Sequence, residues 1–387
     1  MVSRSTVLTL SATAAALTGL GVALAVQRAQ RLRPDLFPVY RPLHRLIEAG
    51  EPQQVAVIYN PTKTGVEAAL RLITAELGLA NWPRAKFYET TTSDPGIHLA
   101  QQAAGEGAQI VIAVGGDGTV RAVADGLAGT DTRLGIVPLG TGNLLARNLG
   151  FNITDLQACI NVALHGVSQA VDMIHLELTD EIGNKTPINY VVMGGAGFDA
   201  QIMTDTREDL KAKIGWLAYV EASLRHMFTR RRPALISVDG GPAFERKVRA
   251  VLIANCGKIQ GGVNLASVAE ASDGQLEVIV LTPRNLLSWA RMSAQFIFRR
   301  HNTLFPVVEH FVGSEVQVEF PRTALPVEVD GDVVGDAQSL QARVMPGAVK
   351  VNIYPPELEI NSLSDLMEAR QQLVEQQRRW WQRLLRI

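Results

Sequence analysis

The stretch Val111–Leu127, "VIAVGGDGTVRAVADGL", decides the fold. A short apolar run suited to a buried strand ends in glycines around an aspartate, and a helical pattern follows at once. Glycines at such a junction allow positive φ and close ligand approach, while N–H groups at the helix start face an anion. A tight turn that needs glycine for geometry would explain Gly115 or Gly118 singly. It leaves Asp117 and Thr119 without a reason. The next strand end, Pro138-Leu139-Gly140-Thr141-Gly142-Asn143, carries the same chemistry. Two neighbouring glycine-rich turns point to phosphate or nucleotide binding. A carboxylate beside phosphate is tolerable only if a cation intervenes. The sequence has no GxxxxGK[ST], which excludes a P-loop ATPase, and its spacing is not that of a GxGxxG dinucleotide site.

Working outward, the same strand–turn–helix unit recurs. "QQVAVIYNPTKTGVEAALRLITAEL" gives a strand at Val55–Tyr59, a turn at Asn60-Pro61 and an amphipathic helix over Val66–Leu77. "RAKFYETTTSDPGIHLAQQAAGEG" gives a second unit, with Thr91 and Thr92 in the turn that caps its helix. Strands alternating with helices predict a parallel, Rossmann-like sheet with ligands gathered at the strands' carboxyl ends. After about Ala170 the pattern changes to short alternating segments such as "MIHLELTD", "INYVVMGGAGFDA", "KVRAVLIANCG", "QLEVIVLT" and "PVEVDGD". These predict a mainly antiparallel β-sandwich, interrupted by helical insertions near 207–228 and 283–301. The expected organisation is an apolar helix and connector over 1–50, an α/β nucleotide-binding domain over 51–168 and a sandwich over 169–346. Residues 347–387 return to the first domain through "AVKVNIYP" and end in an amphipathic helix.

The formal net charge of −1 over 387 residues argues against a general nucleic-acid binder. Two cysteines, Cys159 and Cys256, imply no disulfide framework, and the seven histidines form no zinc-binding spacing. Ser5–Val26 carries no charge, and Arg28, Arg31 and Arg33 follow it against Arg4 alone before it. A membrane anchor with the body in the cytoplasm is expected; a cleaved signal peptide and a peripheral helix are the rival readings. The C-terminal "SDLMEARQQLVEQQRRWWQRLLRI" sets Leu366, Leu373, Trp380, Leu384 and Ile387 on one face among arginines. It suits either a membrane interface or packing on its own domain. The basic segments "RHMFTRRRP" (225–233) and "FIFRRH" (296–301) read as solvated edges or as docking surfaces for anionic lipid.

"NPTKTG", "GGDGT", "PLGTGNLLARNLG", "GGAGFDA", "NCGKIQGGVNLASVAEASDGQLEVIVL" and "VEVDGD", in this order, resemble the catalytic region shared by diacylglycerol kinases, sphingosine kinases and bacterial lipid kinases. The likeness spans roughly Val55–Pro355. It implies an ATP-binding α/β domain, a β-sandwich lipid domain and an active site between them. Carried over, Gly115, Gly116, Asp117, Gly118, Thr119, Gly140, Thr141, Gly142 and Asn143 would hold the ATP phosphates. Asn60 and Thr91 or Thr92 would line the nucleotide site, and Asp117 would act through Mg²⁺. Asp332 would be the general base that takes the lipid hydroxyl proton, with Asp330 supporting it. The bland alternative for these two is a solvated Asp-Gly hairpin. Glu270, Asp273 and Gln275 would form a structural Mg²⁺ turn, with an ordinary Asp-Gly turn as rival.

Three departures from the family pattern stand out. Arg121-Ala122 replace a frequent Asn-Glu pair, Asp332 replaces glutamate, and Ser267 replaces a common proline. The implied activity is transfer of the ATP γ-phosphate to a membrane lipid, diacylglycerol first, at a membrane surface. A homodimer is left open. The alternatives are a soluble nucleotide kinase of the NAD-kinase type and a catalytically silent lipid- or nucleotide-binding protein.

Overall fold

The computed structural model describes residues 52–197, 230–257, 265–266, 270–284, 288 and 307–355. The expected N- and C-terminal helices, the insertion at 207–228, most of 283–301, residues 225–229 and Ser267 lie outside the described residues. Among the described residues no helix is long and apolar enough to cross a membrane.

The first half is four strand–helix units. Strand β1 (Val55–Tyr59) leads to α1 (Val66–Leu79), and β2 (Lys86–Glu89) to α2 (Ile97–Gly105). Next come β3 (Ile110–Gly115) and α3 (Asp117–Leu127), then β4 (Arg133–Pro138), the short α4 (Leu144–Asn148) and α5 (Leu156–His165). The strands pair in parallel in the order β2-β1-β3-β4. Alternate residues serve opposite faces. Val55, Val57, Ile110, Ile112 and Val114 pack with Ile73 and Leu77 of α1 and with Ile160 and Leu164 of α5. Ala56, Ile58, Val111 and Ala113 are buried as well, so both faces are covered, as a parallel sheet requires. Helices α2 and α3 pack closely: a Cβ built on Gly126 would lie 2.3 Å from the Ile97 carbonyl oxygen.

One residue beyond the strands, the ladder continues. Asn60 N–H donates to Val114 O (3.0 Å), Thr90 N–H to Tyr59 O (2.9 Å) and Leu139 N–H to Gly115 O (2.7 Å). These bonds align the four carboxyl-terminal turns along one edge of the sheet.

The second half holds β5 (Val167–Thr179), β6 (Lys185–Tyr190), β7 (Met193–Gly197), β8 (Arg232–Val238), β9 (Phe244–Val248) and β10 (Ala250–Ala254). It continues with β11 (Leu276–Leu281), β12 (Val308–Gly313), β13 (Glu315–Glu319), β14 (Leu325–Val329), β15 (Asp332–Ala337) and β16 (Ser339–Ile353). A six-stranded antiparallel sheet, β12-β11-β10-β7-β14-β15, faces the antiparallel part of a ten-stranded sheet. Ile174, Leu176, Ala234, Val316 and Leu340 from the larger sheet share one core with Val251, Val278 and Val327 from the smaller. This is the expected sandwich.

The two halves are joined more intimately than two separate layers would be. "LQARVMP" and "AVKVNIYP" form one strand, β16, with an irregularity between Met345 and Val349. Its first part pairs with β13, Lys350 and Val351 pair in parallel with β4, and β5 lies antiparallel along its other edge. The α/β sheet and one leaf of the sandwich are therefore a single sheet. "INYVVMGG" is likewise two strands: β6 belongs to the large sheet and β7 to the small one, and the chain changes sheet at Val191-Val192.

Candidate active site

The two glycine turns touch. A Cβ on Gly140 would lie 2.7 Å from the Gly116 Cα, and one on Gly115 would lie 2.6 Å from the Thr119 hydroxyl oxygen, so both turns require glycine. Asn143 takes the left-handed conformation (φ 50°) and closes its own turn. Its Oδ1 accepts Gly140 N–H (2.9 Å), and its Nδ2 donates to Gly140 O (2.7 Å). Arg147 Nε donates to Gly142 O (2.7 Å). Thr141 sits exposed at the tip.

Asp117 binds the turns together. Its Oδ2 accepts Asn143 N–H (2.8 Å) and its Oδ1 accepts Leu144 N–H (2.5 Å). Burial raises the Asp117 pKa, these N–H groups lower it, and the Asp332 charge raises it again. An aspartate among the glycines therefore has a direct structural reason: it ties the β3 turn to the β4 turn.

In the β1 turn, Asn60 Oδ1 accepts Thr62 N–H (3.0 Å) and the Thr62 hydroxyl (2.7 Å). Lys63 reaches over from this turn, with Cε 3.7 Å and Nζ 3.9 Å from the place a Cβ on Gly116 would take. Thr91 and Thr92 are exposed after β2. Thr91 Oγ1 accepts Asp94 N–H (3.1 Å), and Asp94 Oδ1 accepts Gly96 N–H (2.9 Å) at the start of α2.

The acidic motif is a hairpin. Val329 pairs with Asp332, leaving Asp330-Gly331 as a two-residue loop with φ 49° and 93°. Positive φ at both positions is the type I′ geometry that Asp-Gly favours. The hairpin geometry is that of the bland alternative, yet its two carboxylates do not face empty solvent. Asp330 is buried and accepts N–H groups from Val191 (3.2 Å), Val192 (3.1 Å) and Met193 (2.9 Å). Those donors sit where the chain changes sheet, so Asp330 satisfies the main chain at that break. Burial pushes the Asp330 carboxyl up to about 6, opposed by Met193 N–H, the Arg121 charge and Val191 N–H.

Asp332 is half exposed and points back at the first turn. Its Oδ2 lies 3.2 Å from the place a Cβ on Gly118 would take. Arg121 Nη2 donates to that same Asp332 oxygen at 2.8 Å, and Arg121 Nη1 donates to Val329 O at 3.4 Å. Arg121, a departure from the family pattern, is thus the link between helix α3 and the hairpin. Asp117, Arg121 and Asp125 are spaced four apart and share one face of α3. Asp125 Oδ1 accepts Asn189 Nδ2 (2.6 Å), and Asn189 Oδ1 meets His175 Nδ1 (2.8 Å). Sequence reasoning missed this stripe, although the i, i+4, i+8 spacing of charges within an apolar helix was a visible signal.

Glu270, Asp273 and Gln275 share one turn. Asp273 Oδ1 accepts Gln275 N–H (2.9 Å), and its Oδ2 accepts Glu270 N–H (3.4 Å). Asp172, which lies in no motif, anchors the turn. Its carboxylate is buried and accepts Gly274 N–H (2.7 Å) and Gly347 N–H (2.6 Å). Asn255 Nδ2 donates to both Asp172 O (2.8 Å) and Val191 O (2.9 Å), which ties this turn to the segment that holds Asp330. Among the described residues no group of three or more His, Cys, Asp or Glu is placed to hold a metal ion.

The model of the diacylglycerol kinase catalytic domain matches residues 54–176, and that of the YegS C-terminal NAD kinase beta sandwich-like domain matches residues 192–353. A protein of Bacillus subtilis named "Diacylglycerol kinase" is 26% identical over 254 residues, 64% of this chain and 80% of its own. A Pseudomonas fluorescens protein named "Probable lipid kinase YegS-like" is 30% identical over 267 residues, 66% of this chain and 81% of its own. A crystal structure of a diacylglycerol kinase from Bacillus anthracis superposes with a TM-score of 0.62 at 21% identity, over 79% of this chain and 98% of that one, a likeness of fold. The matched segments hold both glycine turns and the acidic hairpin, and the chain belongs to the diacylglycerol kinase and YegS-like family of lipid kinases.

Proposed function

We propose that the protein transfers the γ-phosphate of ATP to the hydroxyl of a membrane lipid, diacylglycerol first among the candidates, giving phosphatidic acid. The observation that carries this reading is the convergence of Asp332 on the first glycine turn. An acidic group suited to accept a hydroxyl proton stands beside Gly118, at the start of a helix whose N–H groups suit phosphate.

In this reading the ATP phosphates lie along Gly115–Thr119 and Gly140–Asn143, with Asn60 and Thr91 or Thr92 towards the nucleoside. Asp332 takes the lipid hydroxyl proton while the new O–P bond forms and the bond to ADP breaks. Arg121 holds one Asp332 oxygen and leaves the other for the hydroxyl. Asp330 fixes the hairpin from beneath.

The carboxylates fit magnesium that arrives with the nucleotide. Asp117 and Asp332 repel one another, which a shared cation would relieve. The Asp117 oxygens also keep acceptor capacity beyond their two N–H partners. Mg²⁺ ordinarily takes only one or two carboxylates plus substrate phosphates. When bound, it would neutralise phosphate charge, with Asp117 its protein ligand. In the turn of Glu270, Asp273 and Gln275, main-chain N–H groups occupy the Asp273 carboxylate, the arrangement of an ordinary Asp-Gly turn.

A membrane-associated body on the cytoplasmic side suits a lipid acceptor and the apolar and basic character of the chain's ends. Incubation of purified protein with labelled ATP, Mg²⁺ and a panel of diacylglycerol, sphingoid base and NAD tests the reading. Label in a lipid product is expected, and it should be lost in Asp117→Ala. Label in NAD alone would overturn the lipid assignment.

A further inference from the structure

We infer that Lys63 is the phosphate-binding cation of the nucleotide site, the residue by which this chain tells a nucleoside triphosphate from a monophosphate. The inference rests on the kinase reading above and assigns a residue to it. The main chain of Lys63 is tied on both sides: its N–H donates to Asn60 O (3.2 Å), and its carbonyl accepts Val66 N–H (3.3 Å). The half-buried side chain runs over the first glycine turn, with Nζ 3.9 Å from the Cβ position of Gly116. Glycine at 116 leaves that space open at the junction of the two turns.

The charges at the site call for such a group. Asp117, Asp330 and Asp332 act on one another or on shared neighbours, and Arg121 is committed to Asp332. Arg147 is turned onto the Gly142 carbonyl. A triphosphate adds several negative charges. Among the described residues, no carboxylate or carbonyl holds the Lys63 ammonium, whereas Lys86, Lys185 and Lys350 each rest on a carboxylate. A compact ammonium on a flexible stem suits a phosphate chain, which it engages as a point charge.

The test compares Lys63→Met, Lys63→Arg and a surface control, Lys185→Met, in the full-length protein. It reads the KM for ATP in lipid phosphorylation and the equilibrium binding of ATP against AMP, with melting temperature reporting folding. Lys63→Met is expected to raise the KM for ATP about tenfold or more and to shrink the preference for ATP over AMP by a similar factor. Lys63→Arg should retain most of that preference, and Lys185→Met should match wild type. A wild-type ATP-to-AMP ratio in folded Lys63→Met would overturn the assignment while leaving the kinase reading intact. Wild-type protein that neither binds nor turns over ATP would overturn both.

Discussion

Asp332 and Arg121 meet at 2.8 Å, and the sequence departure at residue 121 acquires a purpose from that contact. Asparagine at this position would be too short to span from α3 to the hairpin. Loss of the guanidinium should leave the carboxylate free to turn away from the reacting hydroxyl. Arg121→Ala is expected to lower kcat roughly tenfold with a smaller effect on the KM for ATP. In combination with Asp332→Asn it should cost little more than Asp332→Asn alone, because the two act as a unit. Steady-state kinetics of the two single variants and the double variant check this, and additive losses would separate the roles. Asp330 makes a different prediction. Its carboxyl is raised to about 6 from an ordinary value of 3.8, so the fold favours the protonated form. That contribution is fully present below the unfolded pKa and is lost as pH rises through about 6. The gap corresponds to about 3 kcal/mol. Asparagine is a neutral stand-in for the protonated acid, so wild type should lose stability relative to Asp330→Asn as pH rises from about 4 to about 6.5, read as denaturant midpoints, and a pH-independent difference would remove Asp330 as the cause.

Helix α3 and the turns at its head form the element on which the site depends. A Cβ on Gly142 would lie 2.6 Å from Asp117 Oδ2. Gly142→Ala should therefore push the Asp117 carboxylate out of its clamp. Activity is expected to fall at least about tenfold, with a stability loss of roughly 1–3 kcal/mol, read by parallel assay and denaturant titration. Farther along the same face, Asp125→Ala removes the Asn189 bond and should cost roughly 1–2 kcal/mol without a comparable loss of kcat. The glycine turns and the Asp-Gly-Asp hairpin were legible in the sequence because their geometry demands particular residue types at fixed spacing. Asp172 and Asn255 were not. Each holds main-chain groups from segments remote in sequence, and a single polar residue among apolar neighbours does not announce which backbone it will meet.

At the scale of the whole molecule, the alternation of apolar and polar residues disclosed strands but not their membership. Period-two patterning is identical whether a strand stays in one sheet or crosses to another, so the break at Val191-Val192 and the fusion of two segments into β16 were invisible. The consequence is mechanical. Because β16 pairs with β4 in one half and with β5 and β13 in the other, the glycine turns stand on the same sheet as one leaf of the sandwich, and the acidic hairpin β14–β15 belongs to the leaf packed against it. The two halves should unfold together. Far-ultraviolet circular dichroism and tryptophan fluorescence should give coincident denaturant transitions for the body of the protein. Two separated transitions, one for each half, would show that β16 does not couple them.

The central claim is that Asp332 activates the acceptor hydroxyl beside phosphates held on the two glycine turns. The most direct test is the initial rate of γ-phosphoryl transfer from ATP to diacylglycerol in vesicles by wild type and by Asp332→Asn, with ATP affinity measured on the same samples. Wild type should form phosphatidic acid, and Asp332→Asn should lose roughly a hundredfold or more in rate while keeping ATP affinity within about threefold. Transfer by Asp332→Asn at the wild-type rate would contradict the account.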